Sequence, residues 1–153
     1  MLVPLLLGCL TIFISMGIQI AAVVFMLQYL MGIAARENRK FTGMGFNAYV
    51  ISMVLLLLFT GHMVQMTIWA MLFMYLGEFN DFMTSFYHST VNFASLGYGD
   101  IVMSERWRLL GALEASSGVL MFGLSAGTLL AVMSHLFTHY SSAAEQLAVK
   151  NKN

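Results

Sequence analysis

The chain has 153 residues, of which 59% are hydrophobic and only 9% charged, with seven basic and seven acidic side chains giving zero net charge. So few charges exclude an ordinary soluble domain, where roughly 25% of residues are charged, and leave no basic patch able to bind nucleic acid. The hydrophobicity excludes disorder, and a single cysteine, Cys9, excludes an internal disulfide or a multi-cysteine metal site.

In chain order, residues 1–35 carry no Asp, Glu, Lys or Arg, and about 20 apolar residues suffice for a helix to cross a bilayer. A first membrane helix is predicted near 5–33. Leu6-Leu7-Gly8-Cys9 is similar to a lipoprotein cleavage site, but no basic segment precedes it and the apolar run continues to Ala35, so an uncleaved helix is expected. Arg36, Arg39 and Lys40 follow. Residues 41–77 and 115–144 are again free of these charges, which predicts further spans near 48–77 and 107–137, helical because backbone amides in hydrocarbon must be satisfied within the segment. The basic connector after the first span and Lys150 and Lys152 at the end mark the cytoplasmic side, so the N-terminus is expected outside and the C-terminus in the cytoplasm of a multi-pass cell-membrane protein. Trp69, Tyr75 and Trp107 are expected to anchor the outer interface.

Between the second and third spans, residues 80–100 are too short and too polar to cross a membrane. Asn80 is expected to cap a short helix over 81–94, with Asp81 favouring its first turn. Ser95-Leu96-Gly97-Tyr98-Gly99 reads as extended backbone. Irregular chain at membrane depth is tolerated only where protein buries it or it lines a watery path.

Ser95-Leu96-Gly97-Tyr98-Gly99-Asp100 resembles the filter of the potassium-channel pore family, Thr-Val-Gly-Tyr-Gly followed by Asp. The resemblance covers about residues 48–137 in the family's order of outer helix, pore helix, filter and inner helix. It implies an all-α integral membrane protein: three transmembrane helices, a re-entrant pore helix and an extended selectivity filter, closed as a homotetramer. Four copies of the strand would supply backbone carbonyls that replace the water shell of potassium ions, the metal held at Ser95, Leu96, Gly97, Tyr98 and Gly99. Both glycines tolerate positive φ, and the Leu96 and Tyr98 side chains are expected to pack away from the axis against the short helix. Ser95 stands for the family's Thr, Leu96 for Val, and Tyr87-His88 for paired tryptophans. A nonselective cation channel and a non-conducting accessory subunit are the alternatives. The organisation expected is an extra helix and connector at 1–40, a pore domain at 41–140 and a short cytoplasmic tail at 141–153.

On the third span, Gly118 and Gly123 are hinge candidates, and Phe122, Ala126, Leu130 and Met133 are candidates for the cavity and gate. Glu114, inside the span, and His88, expected near the phenol of Tyr98, are candidates for pH sensing. His62 and Gln65 are expected to make inter-helix hydrogen bonds, and His135 and His139 to lie at the membrane interface rather than hold zinc. Glycine-rich phosphate loops, Ser/His/Asp constellations and zinc-ligand spacings are missing from the sequence. No enzymatic activity and no cofactor are expected, only potassium ions, with the lipid bilayer and further copies of the chain as partners.

Overall fold

The structure is a computed structural model that describes residues 2–36 and 44–150, with side chains for residues 2–32, 45–134 and 136. Arg39, Lys40 and Lys152, on which the expected topology partly rests, lie outside the described residues. Among the described residues four helices follow in order: α1 Leu2–Arg36, α2 Met44–Tyr75, α3 Phe82–Phe93 and α4 Arg108–Lys150. Three contain stretches long and apolar enough to cross a membrane: Leu2–Gly32, Gly45–Tyr75 and Arg108–Ser134. Pro4, the one proline of the chain, sits in the first turn of α1, where a missing N–H costs no helix bond. The helix α4 runs on through 141–150, because hydropathy marks only the apolar part of a helix, whereas residues such as Ala143, Ala144, Gln146 and Leu147 keep the backbone helical beyond it.

Cross-helix contacts fix the relative directions. Gly8 faces Leu113 and Gln19 faces Ser125, so α1 and α4 run parallel. Gly61 faces Ala22 while Gln65 meets Gln19, so α2 is antiparallel to α1, and the pairing of His62 with Ser125 makes it antiparallel to α4 as well. The short α3 packs between α2 and α4 at the end of the bundle where Tyr75 and Arg108 lie.

Among the described residues two apolar clusters hold the bundle. One, around α3, gathers Met66, Trp69, Phe73, Phe93, Met103, Trp107, Leu110 and Met121. The other, among α1, α2 and α4, is mainly aliphatic: Met26, Val50, Val54, Leu58 and Val132. The expectation of three interfacial aromatics is corrected here. Trp69 is fully buried and Trp107 is buried beneath Arg106, whose guanidinium lies 4.9 Å from the ring centroid, leaving only Tyr75 exposed. A tryptophan fills the gap where three helices meet as readily as it anchors an interface.

Candidate functional site

The approach to α3 is set by two caps. Gly77, at φ +76°, ends α2 by donating to Met74 O while Glu78 N reaches Phe73 O, the paired bonds of a Schellman motif that requires a left-handed residue. Asp81, rather than Asn80, caps α3: its backbone is extended and its carboxylate accepts from Thr84 N at 2.8 Å. That N–H bond holds the Asp81 carboxyl below the usual carboxylate range. A full negative charge at a helix N-terminus outcompetes the neutral amide one residue earlier.

Two serines one turn apart tie α3 to α2. Ser85 Oγ donates to Ala70 O at 2.7 Å and Ser89 Oγ lies 2.8 Å from Met66 O, so consecutive turns of the two helices are joined rung by rung. Glu114 of α4 reaches the same Ser89 hydroxyl at 2.5 Å. One small hydroxyl therefore joins three helices.

At its other end α3 closes with a second Schellman motif. Ser95 N donates to Asn92 O and Leu96 N to Val91 O, with Ser95 at φ +57° in the left-handed position that glycine normally takes. Gly97 at φ +58° and Gly99 at φ +74° follow. Left-handed residues thus alternate with Leu96 and Tyr98 along this stretch, an arrangement that departs from a β-strand, whose successive carbonyls point to opposite sides. All of residues 95–100 are exposed. Leu96 and Tyr98, expected to pack against the short helix, are 53% and 66% exposed. Within one chain α3 offers them no surface, because its buried face is already taken by α2 and α4.

Three side chains tether the loop that follows. Tyr87 Oη donates to Asp100 Oδ2 at 2.7 Å, which holds the Asp100 carboxyl below its ordinary range and the phenol above its own. Glu78 accepts from Ser104 twice, at 2.6 Å from the backbone N–H and 2.7 Å from the hydroxyl. His88 is buried against Phe73 and Phe79, with Nδ1 3.0 Å from Ile101 O and Nε2 2.9 Å from the Asn92 amide. Its imidazole reaches the Ile101 carbonyl rather than the phenol of Tyr98, and burial pushes its titration below the usual histidine value.

On α4, Gly118 is buried against the end of α3, and a Cβ there would lie 1.9 Å from Phe93 O. Its lack of a side chain is what allows the two helices to meet. Among the described residues nothing lies within 4 Å of such a Cβ on Gly123. Ala126 and Leu130 are exposed and Met133 is half-buried. Phe122 leans on His62 and Phe93, at centroid distances of 4.8 and 5.6 Å, with 40% of its surface exposed. His135 and His139 lie on α4, outside the described side chains.

Deeper in the bundle, Gln65 Nε2 donates to Gln19 Oε1 and Gln19 Nε2 donates to Ser125 Oγ, both at 2.8 Å, and that hydroxyl lies 3.1 Å from His62 Nε2. His62 and Gln65 do bond across helices, as expected. Gln19, which links α1 to both of its neighbours, is absent from the sequence-based expectations, as are Ser85, Ser89 and Ser125. For Gln19 a signal existed: an amide within the apolar run of a membrane helix is costly unless it is bonded.

A family profile described as "Ion channel" matches residues 50–135, more than half of the chain. The chain belongs to this ion channel family. The matched ion channel domain holds most of α2, all of α3, the 95–100 segment and α4 as far as His135, while α1 lies outside it, joined to it through Gln19. Comparisons with curated proteins and with solved structures give no match.

Proposed function

We propose that this ion channel is a homotetrameric potassium channel in which α2 is the outer helix, α3 a re-entrant pore helix, Ser95–Gly99 the selectivity filter and α4 the inner helix. The observation that carries this reading is the backbone of the filter segment: left-handed residues at 95, 97 and 99 with the whole stretch exposed. Alternating the sign of φ turns successive carbonyls toward one side, which a ring of four such strands converts into cages of oxygen for a dehydrated cation. Leu96 and Tyr98 then find their packing partners in neighbouring copies.

The dimensions support a re-entrant α3. Its 12 residues span about 18 Å, well short of a bilayer core of about 30 Å. Its C-terminus meets Gly118, ten residues along α4 from Arg108 and so about 15 Å deep, before the chain returns to the same end of the bundle. Fixed loops at that end, through Tyr87 and Glu78, suit the outer mouth of a pore. The exposed Leu130 and the half-buried Met133 remain the gate residues of this reading, large enough to close a pore by dewetting. The topology has the N-terminus outside and the C-terminus cytoplasmic.

Reversal potentials in opposed potassium and sodium gradients, measured on purified protein in bilayers, test the function. The potential should follow potassium. Equal permeability indicates a nonselective channel, and absence of flux indicates an accessory subunit. Gly97→Ala and Gly99→Ala should abolish selective conduction, since alanine at positive φ is strained even though each Cβ has open space around it. A cysteine at position 38 should label from the cytoplasm and one in place of the exposed Glu105 from outside, Met103 being buried.

A further inference from the structure

The short contact between Ser89 and Glu114 raises a question of hydrogens. Ser89 has one hydroxyl hydrogen and two oxygen neighbours, Met66 O at 2.8 Å and Glu114 Oε1 at 2.5 Å. Met66 O can only accept. If Ser89 donated to an ionised Glu114, the hydroxyl oxygen and the Met66 carbonyl would face each other with no hydrogen between them. The anion would also be fully buried, with Oε2 lacking a hydrogen-bond partner by distance and angle among the described residues. Ser89 and Asn92, the side chains beside the carboxyl, carry no positive charge. An unpaired buried carboxylate costs far more than a neutral acid. When the carboxyl keeps its proton, each of the two Ser89 contacts receives one hydrogen: Glu114 donates to Ser89, and Ser89 donates to Met66 O.

The neighbouring contacts follow the same direction. Asn92 Nδ2 donates to His88 Nε2, which leaves Nδ1–H to donate to Ile101 O, the residue after Asp100. The Asn92 amide also packs 3.0 Å from where a Cβ on Gly111 would lie, one turn before Glu114 on α4. Met66 on α2, Ser89 and Asn92 on α3, Glu114 on α4 and Ile101 in the loop thus surround the last two turns of the helix that carries the 95–100 segment. His88, with Asp100 and Glu78 beyond it, is the titratable group on this side, and the α2 residues that contact Ser85 and Ser89, Ala70 and Met66, contribute none.

We propose that Glu114 is a neutral acid and a positioning residue, whose carboxyl O–H braces α4 to α3 through Ser89 and so holds the base of the filter at a fixed distance from the inner helix. This rests on the pore reading above. It departs from a role for Glu114 as a group that titrates to open or close the pore: the brace works because the proton stays.

The test uses the full chain in liposomes. Infrared difference spectra of wild type against Glu114→Gln at neutral pH should show the C=O stretch of one neutral carboxylic acid, shifted in D2O and missing from the variant. A carboxylate band in its place overturns the proposal. Glutamine keeps a donor for Ser89, so Glu114→Gln should retain the wild-type conducting fraction and potassium preference. Glu114→Ala and Ser89→Ala should each lower the conducting fraction about fivefold, the ratio set by one net hydrogen bond of ~1 kcal/mol. If Glu114→Gln is as impaired as Glu114→Ala, the brace is refuted. Should Glu114→Ala fail to assemble, Ser89→Ala decides, and a wild-type conducting fraction in that variant refutes the brace. An acid band in a wild type that passes no ions overturns the pore reading and leaves the neutral brace standing.

Discussion

The two halves of the bundle are held by different forces. Around α3, bonds from Ser85, Ser89, Tyr87, His88 and Glu78 reach specified backbone or carboxylate atoms, and the apolar filling is largely aromatic and methionine. Toward the other end, α1, α2 and α4 meet through Met26, Val50, Val54, Leu58 and Val132. Directional bonds fix atoms to a fraction of an ångström, whereas dispersion between aliphatic side chains depends only weakly on small sliding. One half therefore suits a structure that must keep its shape, and the other suits helices that shift against each other. The Gln19–Ser125–His62 chain lies at the border between them.

The strongest way to break this contrast is at the helix crossing. Gly118→Ala puts a methyl into Phe93 O, so α3 and α4 must separate, at about 3 kcal/mol or more. Gly123→Ala, in open space five residues on, should be tolerated. Thermal unfolding of the two variants in detergent checks the pair, and equal loss in both would show that glycine flexibility rather than close approach matters at Gly118.

At the border, Gln19→Leu removes an acceptor from Gln65 and a donor from Ser125 at once. Membrane hydrogen bonds average about 0.6 kcal/mol with a maximum near 1.7, so the variant should lose about 1–2 kcal/mol. A double-mutant cycle with Ser125→Ala should show coupling between the two sites. Strict additivity would mean that α1 packs beside α4 without holding it.

Within the rigid half, Tyr87→Phe loses one hydrogen bond to the Asp100 carboxylate at an exposed position, where water competes for both partners. Stability should change little, while conduction becomes less steady. Single-channel recordings that match wild type would show that Asp100 is held by other means.

The smallest effect concerns acid. Burial lowers the His88 titration, with the Ile101 carbonyl, Asp100 and Glu78 pulling the other way. Because the unfolded chain then binds a proton more readily than the folded one, stability is complete above the usual histidine value of about 6.5 and falls as the pH drops from there to the folded value. Melting temperatures between pH 8 and pH 5 should decline in wild type and decline less in His88→Phe. Parallel curves would remove His88 as the source.

The amino-acid sequence by itself determined the membrane helices, the short intervening helix and the Gly-Tyr-Gly-Asp segment. These depend on one-dimensional quantities: gaps between charges, runs of apolar residues, and glycines where the backbone must turn left-handed. A charge excluded from hydrocarbon is excluded whatever the fold. Only the tertiary structure decided that Gly118 is a contact, that Trp69 and Trp107 are core, and that Ser89 joins three helices. Gln19 and Ser125 are 106 residues apart, and no local rule relates them. Their meeting depends on the register of two parallel helices, which the summed packing of both sets. Serines 85 and 89 look like any polar residues on a short helix until α2 presents carbonyls at the same rise of one turn, and the proton on Glu114 can be inferred only once both oxygens beside Ser89 are in place.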